Sequence, residues 1–178
     1  MSTDAAATAT TTTNSIPVEV FRNVLLSILD EAYVGTANSW TLFTDKGTSI
    51  FETLSTIDAV TASTVFSDRA SNIAAQVNHV RFHLDVLSDG LKNGWGTSAD
   101  WPGSWKIGEV SEEQWQDLVN RLRAAYEETR AVAASWNDWN EDFVSGAFSI
   151  VAHAAYHLGE IRLSLAALNV PVAPDVAS

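Results

Sequence analysis

Residues 71–87 read SNIAAQVNHVRFHLDVL, and their pattern decides the fold class. Apolar side chains recur at positions 73, 77, 80, 84 and 87, at alternating intervals of four and three residues. This spacing places them on one face of an α-helix, because a helix completes a turn every ~3.6 residues. The pattern predicts a long amphipathic helix over residues 69–87, and Gly90 is expected to end it.

Three further stretches show the same periodicity. They predict long helices over residues 17–33, 111–136 and 141–169. A shorter helix is expected from about Ile50. Two capping-box patterns, in which a Ser is followed three residues later by Glu or Gln, support two of the helix starts. These patterns are Ser49 with Glu52 and Ser111 with Gln114. Strand-like alternation is absent, so four long amphipathic helices in one small domain predict an all-α four-helix bundle.

Two connections constrain how these helices are arranged. The break over residues 137–140 is short, which predicts that the last two long helices are antiparallel neighbours. Residues 88–110 are long enough to cross the bundle and leave the flanking helices parallel. This segment contains Trp95, Trp101 and Trp105. Aromatic side chains in a long loop either pin it to the bundle or line a site, and pinning is favoured.

The domain boundaries follow from composition and length. The chain has 178 residues, which fits a single domain. Residues 1–15 are rich in Ala and Thr without an apolar face, and a disordered tail is expected there. The helical domain then covers residues 16–170, and residues 171–178 form a C-terminal tail.

Charge and cysteine content exclude several classes of function. The chain carries 10 Lys and Arg against 22 Asp and Glu, a net charge of −12. This acidity argues against binding to nucleic acid and to anionic membrane surfaces. The absence of cysteine excludes disulfides, Fe–S clusters and a protein thiolate nucleophile. No apolar run approaches the ~20 residues of a membrane span and no signal peptide is recognisable, so a cytoplasmic location is expected.

The residues with metal-binding chemistry are the four histidines. They form two i, i+4 pairs, His79 with His83 and His153 with His157. Residues four apart share a helix face, so each pair can present two imidazoles to one ion. His157 falls on the apolar seam of its helix, and a polar seam carries the other pair. Imidazoles without thiolates suit zinc, nickel, iron or copper. The alternative is a pair of buried neutral histidines that donate to backbone carbonyls.

Two stretches resemble a known family. Residues 71–87 and residues 151–165, VAHAAYHLGEIRLSL, are similar to the DinB/YfiT-like family of four-helix-bundle metalloenzymes. The signature of that family is one His in the second long helix and an H-x-x-x-H in the last, followed by Gly and then Gln or Glu. His157, Leu158, Gly159 and Glu160 match this continuation. The resemblance extends over residues 16–169. It implies an up-down-down-up bundle with a long crossover between the second and third long helices.

The resemblance also implies a metal site. Its ligands would be His79, His153 and His157, holding a divalent ion with open or water positions. Helical periodicity alone slightly favours His83 over His79, since His83 lies nearer the centre of the apolar seam. The family register selects His79 and leaves His83 to line the pocket. The ion implied is zinc or nickel in the first place, with iron or manganese as alternatives.

The activity implied is metal-dependent chemistry on a small molecule. Thiol S-transfer with a low-molecular-weight thiol is the first choice, and the alternatives are a metal-dependent hydrolase and a non-catalytic metal-binding stress-response protein. Glu160 is the candidate base, and Arg162 is the candidate contact for an anionic substrate. Tyr156 is assigned to packing, and Asn78 is assigned no role. The resemblance further implies a homodimer.

Overall fold

The computed structural model describes residues 15–38, 40–94 and 98–171. Within these ranges the chain is all-helical and has no strand, which confirms the predicted all-α class. The helices are α1 Val18–Tyr33, α2 Ile50–Leu54, α3 Ala59–Ser63, α4 Ile73–Asn93, α5 Trp101–Ser104, α6 Glu112–Ser135 and α7 Glu141–Ala167. Most of the two predicted tails, and Trp95, lie outside the described residues.

Side-chain caps set the helix starts. Both predicted capping boxes are present, at Ser49 before α2 and at Ser111 before α6. Asn72 caps α4 by accepting a hydrogen bond from the backbone N–H of Ala75 at 2.7 Å. A helix therefore begins at Ile73 rather than at residue 69, because the cap residue itself is extended.

The predicted end of α4 at Gly90 is wrong. The helix continues to Asn93 and ends at Gly94, which adopts a φ of 89°. Gly90 is buried, and the extra turn packs on α6, where Lys92 forms an ion pair with Glu128. Contacts with α6 thus stabilise the helix beyond Gly90, although a glycine would weaken an isolated helix at this position.

Helices α4 and α6 run parallel. At their beginnings, Nδ2 of Asn72 donates to the carbonyls of Ile107 and Gly108, which immediately precede α6. Nearer their ends, Oγ of Ser88 lies 2.8 Å from Oγ1 of Thr129. The long connection between the two helices therefore runs back along the length of the molecule, which its number of residues allows.

Helix α1 runs antiparallel to α6. Near the end of α1, the carboxylate of Asp30 accepts hydrogen bonds from Tyr126 and Arg130. Near its beginning, Arg22 donates to the carbonyl of Trp136, just past the end of α6. These contacts fix α1 along the face of α6.

The prediction that the last two long helices are neighbours is wrong. Helices α6 and α7 both pack on α1 and α4, from opposite sides, and have no substantial contact with each other. Residues 136–140 can span ~17 Å when extended. The diagonal of a four-helix arrangement is only ~11–14 Å, so a short link suffices. Phe21 of α1 lies beneath this link, with its ring 5.1 Å from that of Trp139.

The short helices and loops close one end of the molecule. Trp115 of α6 is fully buried, and its indole N–H donates to the carbonyl of Ile57 at 3.1 Å. The buried carboxylate of Glu31 accepts the backbone N–H groups of Leu42, Phe43 and Thr44. In the described part of the chain, no helix combines the length and the apolar character that crossing a membrane requires.

Candidate metal centre

The two histidine pairs face each other across α4 and α7. These helices run antiparallel, so His79 lies opposite His153 and His157. Nε2 of His153 lies 3.1 Å from Nε2 of His79. One nitrogen from each of these three residues lies within 4.8 Å of the other two. The three residues that the family register selects are thus the ones whose nitrogens come together.

His83 lies one turn further along α4 and is not a member of this group. Its ring stacks on that of His153, with centroids 3.8 Å apart and planes at 16°. Its Nε2 lies 3.4 Å from Oγ of Ser149. His83 therefore supports His153 from the side, and its assignment to a substrate remains a prediction.

The protonation of His79 is fixed by Ser104. Oγ of Ser104 donates its proton to the carbonyl of Trp101 at 2.7 Å, so it can only accept from the imidazole. Nδ1 of His79 lies 2.7 Å from that oxygen and must carry the proton. Nε2 of His79 is then the unprotonated nitrogen, which faces His153. This is the tautomer that a metal ligand requires.

The loop that supplies Ser104 is anchored to the helix that supplies His79. Nδ2 of Asn78 donates to the carbonyl of Ser104 at 2.7 Å, and Arg81 donates to Oδ1 of Asn78. The ring of Trp105 stacks on His79 with centroids 4.0 Å apart. Trp101 also lies close to His79 and His83. Of the two uses considered for the loop aromatics, these tryptophans serve both: they pin the loop and they line the site.

Glu160 lies beside His157, one turn along α7. Nδ1 of His157 is 2.9 Å from Oε2 of Glu160. The two atoms are not aligned for a hydrogen bond, so Nδ1 has no hydrogen-bond partner in the described structure. Glu160 also accepts a hydrogen bond from the hydroxyl of Tyr156. Tyr156 is 61% exposed, so its assignment to packing is wrong; helix α7 turns the ring to the surface.

Burial keeps the imidazoles neutral. Desolvation, with the neighbouring imidazoles His153 and His79, lowers the pKa of His83 to about 3. Desolvation and adjacent histidines lower the pKa of His153 and of His157 to about 4. The pKa of His79 is also lowered by desolvation, which Glu160 partly opposes. Lone pairs are therefore available for an ion at neutral pH.

A cavity of about 290 Å³ adjoins the cluster. Trp105 and Glu160, which touch His79 and His157, also line this cavity. Arg162 is half-buried on α7 and is not part of its wall. The role of Arg162 in binding an anionic substrate stays a prediction.

Sequence reasoning missed two residues of the site, Ser104 and Asn78. Ser104 meets His79 across 25 positions of chain, through a loop without periodicity. Asn78 points away from the histidine face, as its position on the helix predicts, yet it holds the loop that orients His79. No spacing rule connects these residues, so the sequence carried no signal for them.

Comparison of the chain with protein-family models, with curated proteins and with solved structures found no match.

Proposed function

We propose that this chain is a divalent-metal-binding protein of the DinB/YfiT-like kind, with the up-down-down-up four-helix topology of that family. We further propose that it is a metal-dependent enzyme acting on a small molecule. The directions and packing of α1, α4, α6 and α7 support the topology. The loop that crosses between α4 and α6 and covers the histidines supports it as well.

The observation that carries the proposal is the convergence of three imidazole nitrogens within 4.8 Å. Two nitrogens bound to one tetrahedral ion at ~2.0–2.1 Å lie ~3.3 Å apart. The 3.1 Å between His79 and His153 is close to that separation. A simple hydrogen bond between two histidines would explain this distance alone, but it would not explain the third nitrogen.

The residues that would hold the ion are His79, His153 and His157. Three protein ligands are typical of catalytic rather than structural zinc sites. Such an ion supplies Lewis acidity, which lowers the pKa of bound water or keeps a thiol as thiolate. Within the chain itself, Ser104 accepts the proton on Nδ1 of His79 and so fixes its tautomer. The carboxylate of Glu160 lies 2.9 Å from Nδ1 of His157, where it can accept a hydrogen bond once the two groups align. Zinc or nickel is the proposed ion, with iron or manganese as alternatives.

Thiol S-transfer is the proposed reaction class. The chain has no cysteine, so a sulfur nucleophile must arrive as a low-molecular-weight thiol. The cavity beside the histidines provides room for a small molecule. The second candidate is a metal-dependent hydrolase, which the carboxylate of Glu160 next to the site favours because it can act as a base. Storage or sequestration of the metal without turnover is the third.

Metal content of purified variants tests the site. His157→Ala should abolish stoichiometric binding, since two imidazoles rarely hold a divalent ion against water. His83→Ala is the matched control, because it removes a histidine of the same cluster and should retain the metal. Loss of metal from the His83 variant with retention in His79→Ala would place the ligand one turn away. Undiminished binding in all three variants would refute the site.

Activity is tested separately with metal-stripped and reconstituted protein. Removal of the ion should abolish conjugation of an electrophile such as 1-chloro-2,4-dinitrobenzene to an added thiol, and restoration should recover it. A metal-loaded protein without conjugation across several thiols and electrophiles would refute S-transfer and leave the hydrolase and the non-catalytic protein.

A further inference from the structure

The histidine cluster is closed to solvent on one side by a short segment of the long connection between α4 and α6. His79, His83 and His157 are each at most 8% exposed. Residues 100–105, which we call the cover, contain α5 and two tryptophans. The tryptophan rings lie over these three histidines, with centroid distances between 4.0 and 6.1 Å. An ion or a small molecule that approaches from this side can reach the imidazoles only if the cover moves.

The cover is hydrogen-bonded to α4. Nδ2 of Asn78 donates to the carbonyl of Ser104, and Nδ1 of His79 donates to Oγ of Ser104, both at 2.7 Å. Towards α7 the cover presents the ring of Trp105, whose centroid is 5.6 Å from that of His157. Two short hydrogen bonds restrain the cover more strongly than this ring contact does. The cover can therefore swing away from α7 while it stays attached to α4.

One helical turn holds the shape of the cover. Asp100 caps α5, because its Oδ1 accepts the backbone N–H of Gly103 at 2.9 Å. Oγ of Ser104 donates to the carbonyl of Trp101 within the same turn. A Cβ at residue 103 would overlap Oδ2 of Asp100, so the carboxylate would have to turn away and the cap would be lost. The turn that places Trp101 over the histidines thus depends on a pair of residues outside the histidine cluster.

We propose that the cover is a lid whose opening controls the entry and release of the ion at the histidines. In the closed form, which the structure shows, Trp105 stacks on His79 and also lines the cavity of about 290 Å³. In the open form Trp105 leaves His157, and the cavity becomes continuous with the histidine cluster. The inference rests on the proposed function for the ion, whereas the movement of the cover is independent of the ion.

A single introduced thiol can report the opening, because the chain has no cysteine. His83→Cys places a thiol beneath Trp101, outside the group of three converging nitrogens. Its alkylation by iodoacetamide is measured in metal-free protein with a chelator present. Ser88→Cys is the control, because Ser88 is 3% exposed and faces Thr129 of α6 instead of the cover. The thiol of the His83 variant should react at least tenfold faster than that of the Ser88 variant.

Gly103→Ala tests whether the cover provides the protection. Loss of the Asp100 cap should raise the alkylation rate of the His83→Cys chain by roughly tenfold and leave that of the Ser88→Cys chain unchanged. Gly108→Ala, further along the same connection, is the matched control, because its Cβ meets no atom within 4 Å. Asp100→Ala removes the same cap, so adding Gly103→Ala to it should give little further increase. Equal rates in the Gly103→Ala and Gly108→Ala chains would overturn the proposal.

Metal uptake by the cysteine-free chain decides the question independently of any introduced thiol. Binding of Zn²⁺ to metal-free protein is followed by stopped-flow tryptophan fluorescence. If the cover must open first, the uptake rate should level off at high ion concentration, and Gly103→Ala should raise the plateau by roughly tenfold. Gly108→Ala should leave the plateau unchanged. A rate that stays proportional to the ion concentration, in the parent and in the Gly103 variant alike, would overturn the proposal.

The outcomes separate the lid from the metal site. A parent protein that takes up no ion, together with alkylation that responds to Gly103→Ala, would support the movement of the cover and refute the proposed metal site. Stoichiometric metal binding, together with alkylation and uptake rates that do not respond to Gly103→Ala, would refute the lid and leave the metal site standing.

Discussion

At His79, two hydrogen bonds in series determine which nitrogen carries the proton. The carbonyl of Trp101 takes the hydroxyl proton of Ser104, and the hydroxyl oxygen then accepts from Nδ1 of His79. The nitrogen of His79 that faces His153, Nε2, therefore carries a lone pair and no proton. Outer contacts of this kind raise the basicity and fix the orientation of a ligand.

Replacement of Ser104 by Ala removes the acceptor for Nδ1 and allows the other tautomer. Metal affinity should fall by ~10–100-fold, the usual effect of losing an outer-shell partner. Competition against a chelator of known affinity measures the change. Ser135→Ala is the control, because Oγ of Ser135 also donates to backbone carbonyls but makes no bond to a histidine and lies at the far end of α6. Equal affinities for the two variants would contradict the tautomer argument.

The low pKa values of the buried histidines predict a pH dependence of stability. His83, His153 and His157 titrate at about 3 to 4 in the folded chain, against ~6.5 when unfolded. Between these values the unfolded chain binds more protons than the folded chain. The free energy of unfolding of metal-free protein should therefore fall as the pH decreases from ~6.5 toward ~4.

Urea unfolding in the presence of a chelator, at pH 7 and pH 5, measures this loss. His83→Gln removes one of the groups and should lose less stability over the same interval. A parent protein with equal stability at the two pH values would show that the imidazoles are not desolvated as the structure indicates.

The histidine cluster could be predicted from the sequence, because the metal-binding residue type recurs at the spacing of one helix face. The i, i+4 spacing of the histidines predicted that each pair shares a face, and antiparallel α4 and α7 bring the two faces together. Choosing between His79 and His83 needed the depth of each residue along the bundle, which periodicity does not encode.

At the scale of elements, the start of α4 is joined to the start of α6 by one side chain. Asn72 caps α4 through Oδ1 and holds the approach to α6 through Nδ2. Asn140 caps α7 in the same way, but its side chain is exposed and has no bond to another helix in the described structure. Asn140 therefore acts only as a local helix cap, whereas Asn72 caps its helix and also bonds to the segment before α6.

Asn140→Ala should lower the free energy of unfolding by ~1 kcal/mol, as the loss of a helix cap usually does. Asn72→Ala should cost ~2–4 kcal/mol, because two further hydrogen bonds are lost next to buried backbone. Chemical denaturation of both variants measures the difference. Similar costs would show that the bonds from Asn72 to Ile107 and Gly108 contribute little.

The beginnings of the helices could be predicted because capping depends on residues close in sequence. The end of α4 and the packing partners of α6 and α7 could not. Ser49 and Ser111 lie within three residues of the groups they bond. The extension of α4 past Gly90 depends on contacts with α6, which sequence patterns do not contain. The diagonal placement of α6 and α7 likewise depends on α1 and α4 filling the space between them.

At the scale of the whole molecule, α7 has two contrasting faces. Its histidines point inward, and an apolar stripe of Phe148, Tyr156 and Leu163 is 61–65% exposed on the outside. Ala152 lies in the same stripe and is exposed as well. An exposed apolar stripe of this length on a small acidic protein is typical of an interaction surface. The homodimer that the family resemblance implies would use this face.

We expect the chain to self-associate through this stripe, and Ala152→Arg tests the expectation. Arginine at this position adds a long charged side chain to the centre of the apolar stripe and removes no contact within the monomer. The average mass in solution, measured by light scattering at several concentrations, should fall from that of a dimer toward that of the monomer of 19.2 kDa. Ala124→Arg makes the same change on the exposed face of α6 and should leave the mass unaltered. A parent protein that is monomeric throughout, or an Ala152 variant that remains dimeric, would assign the stripe no role in self-association.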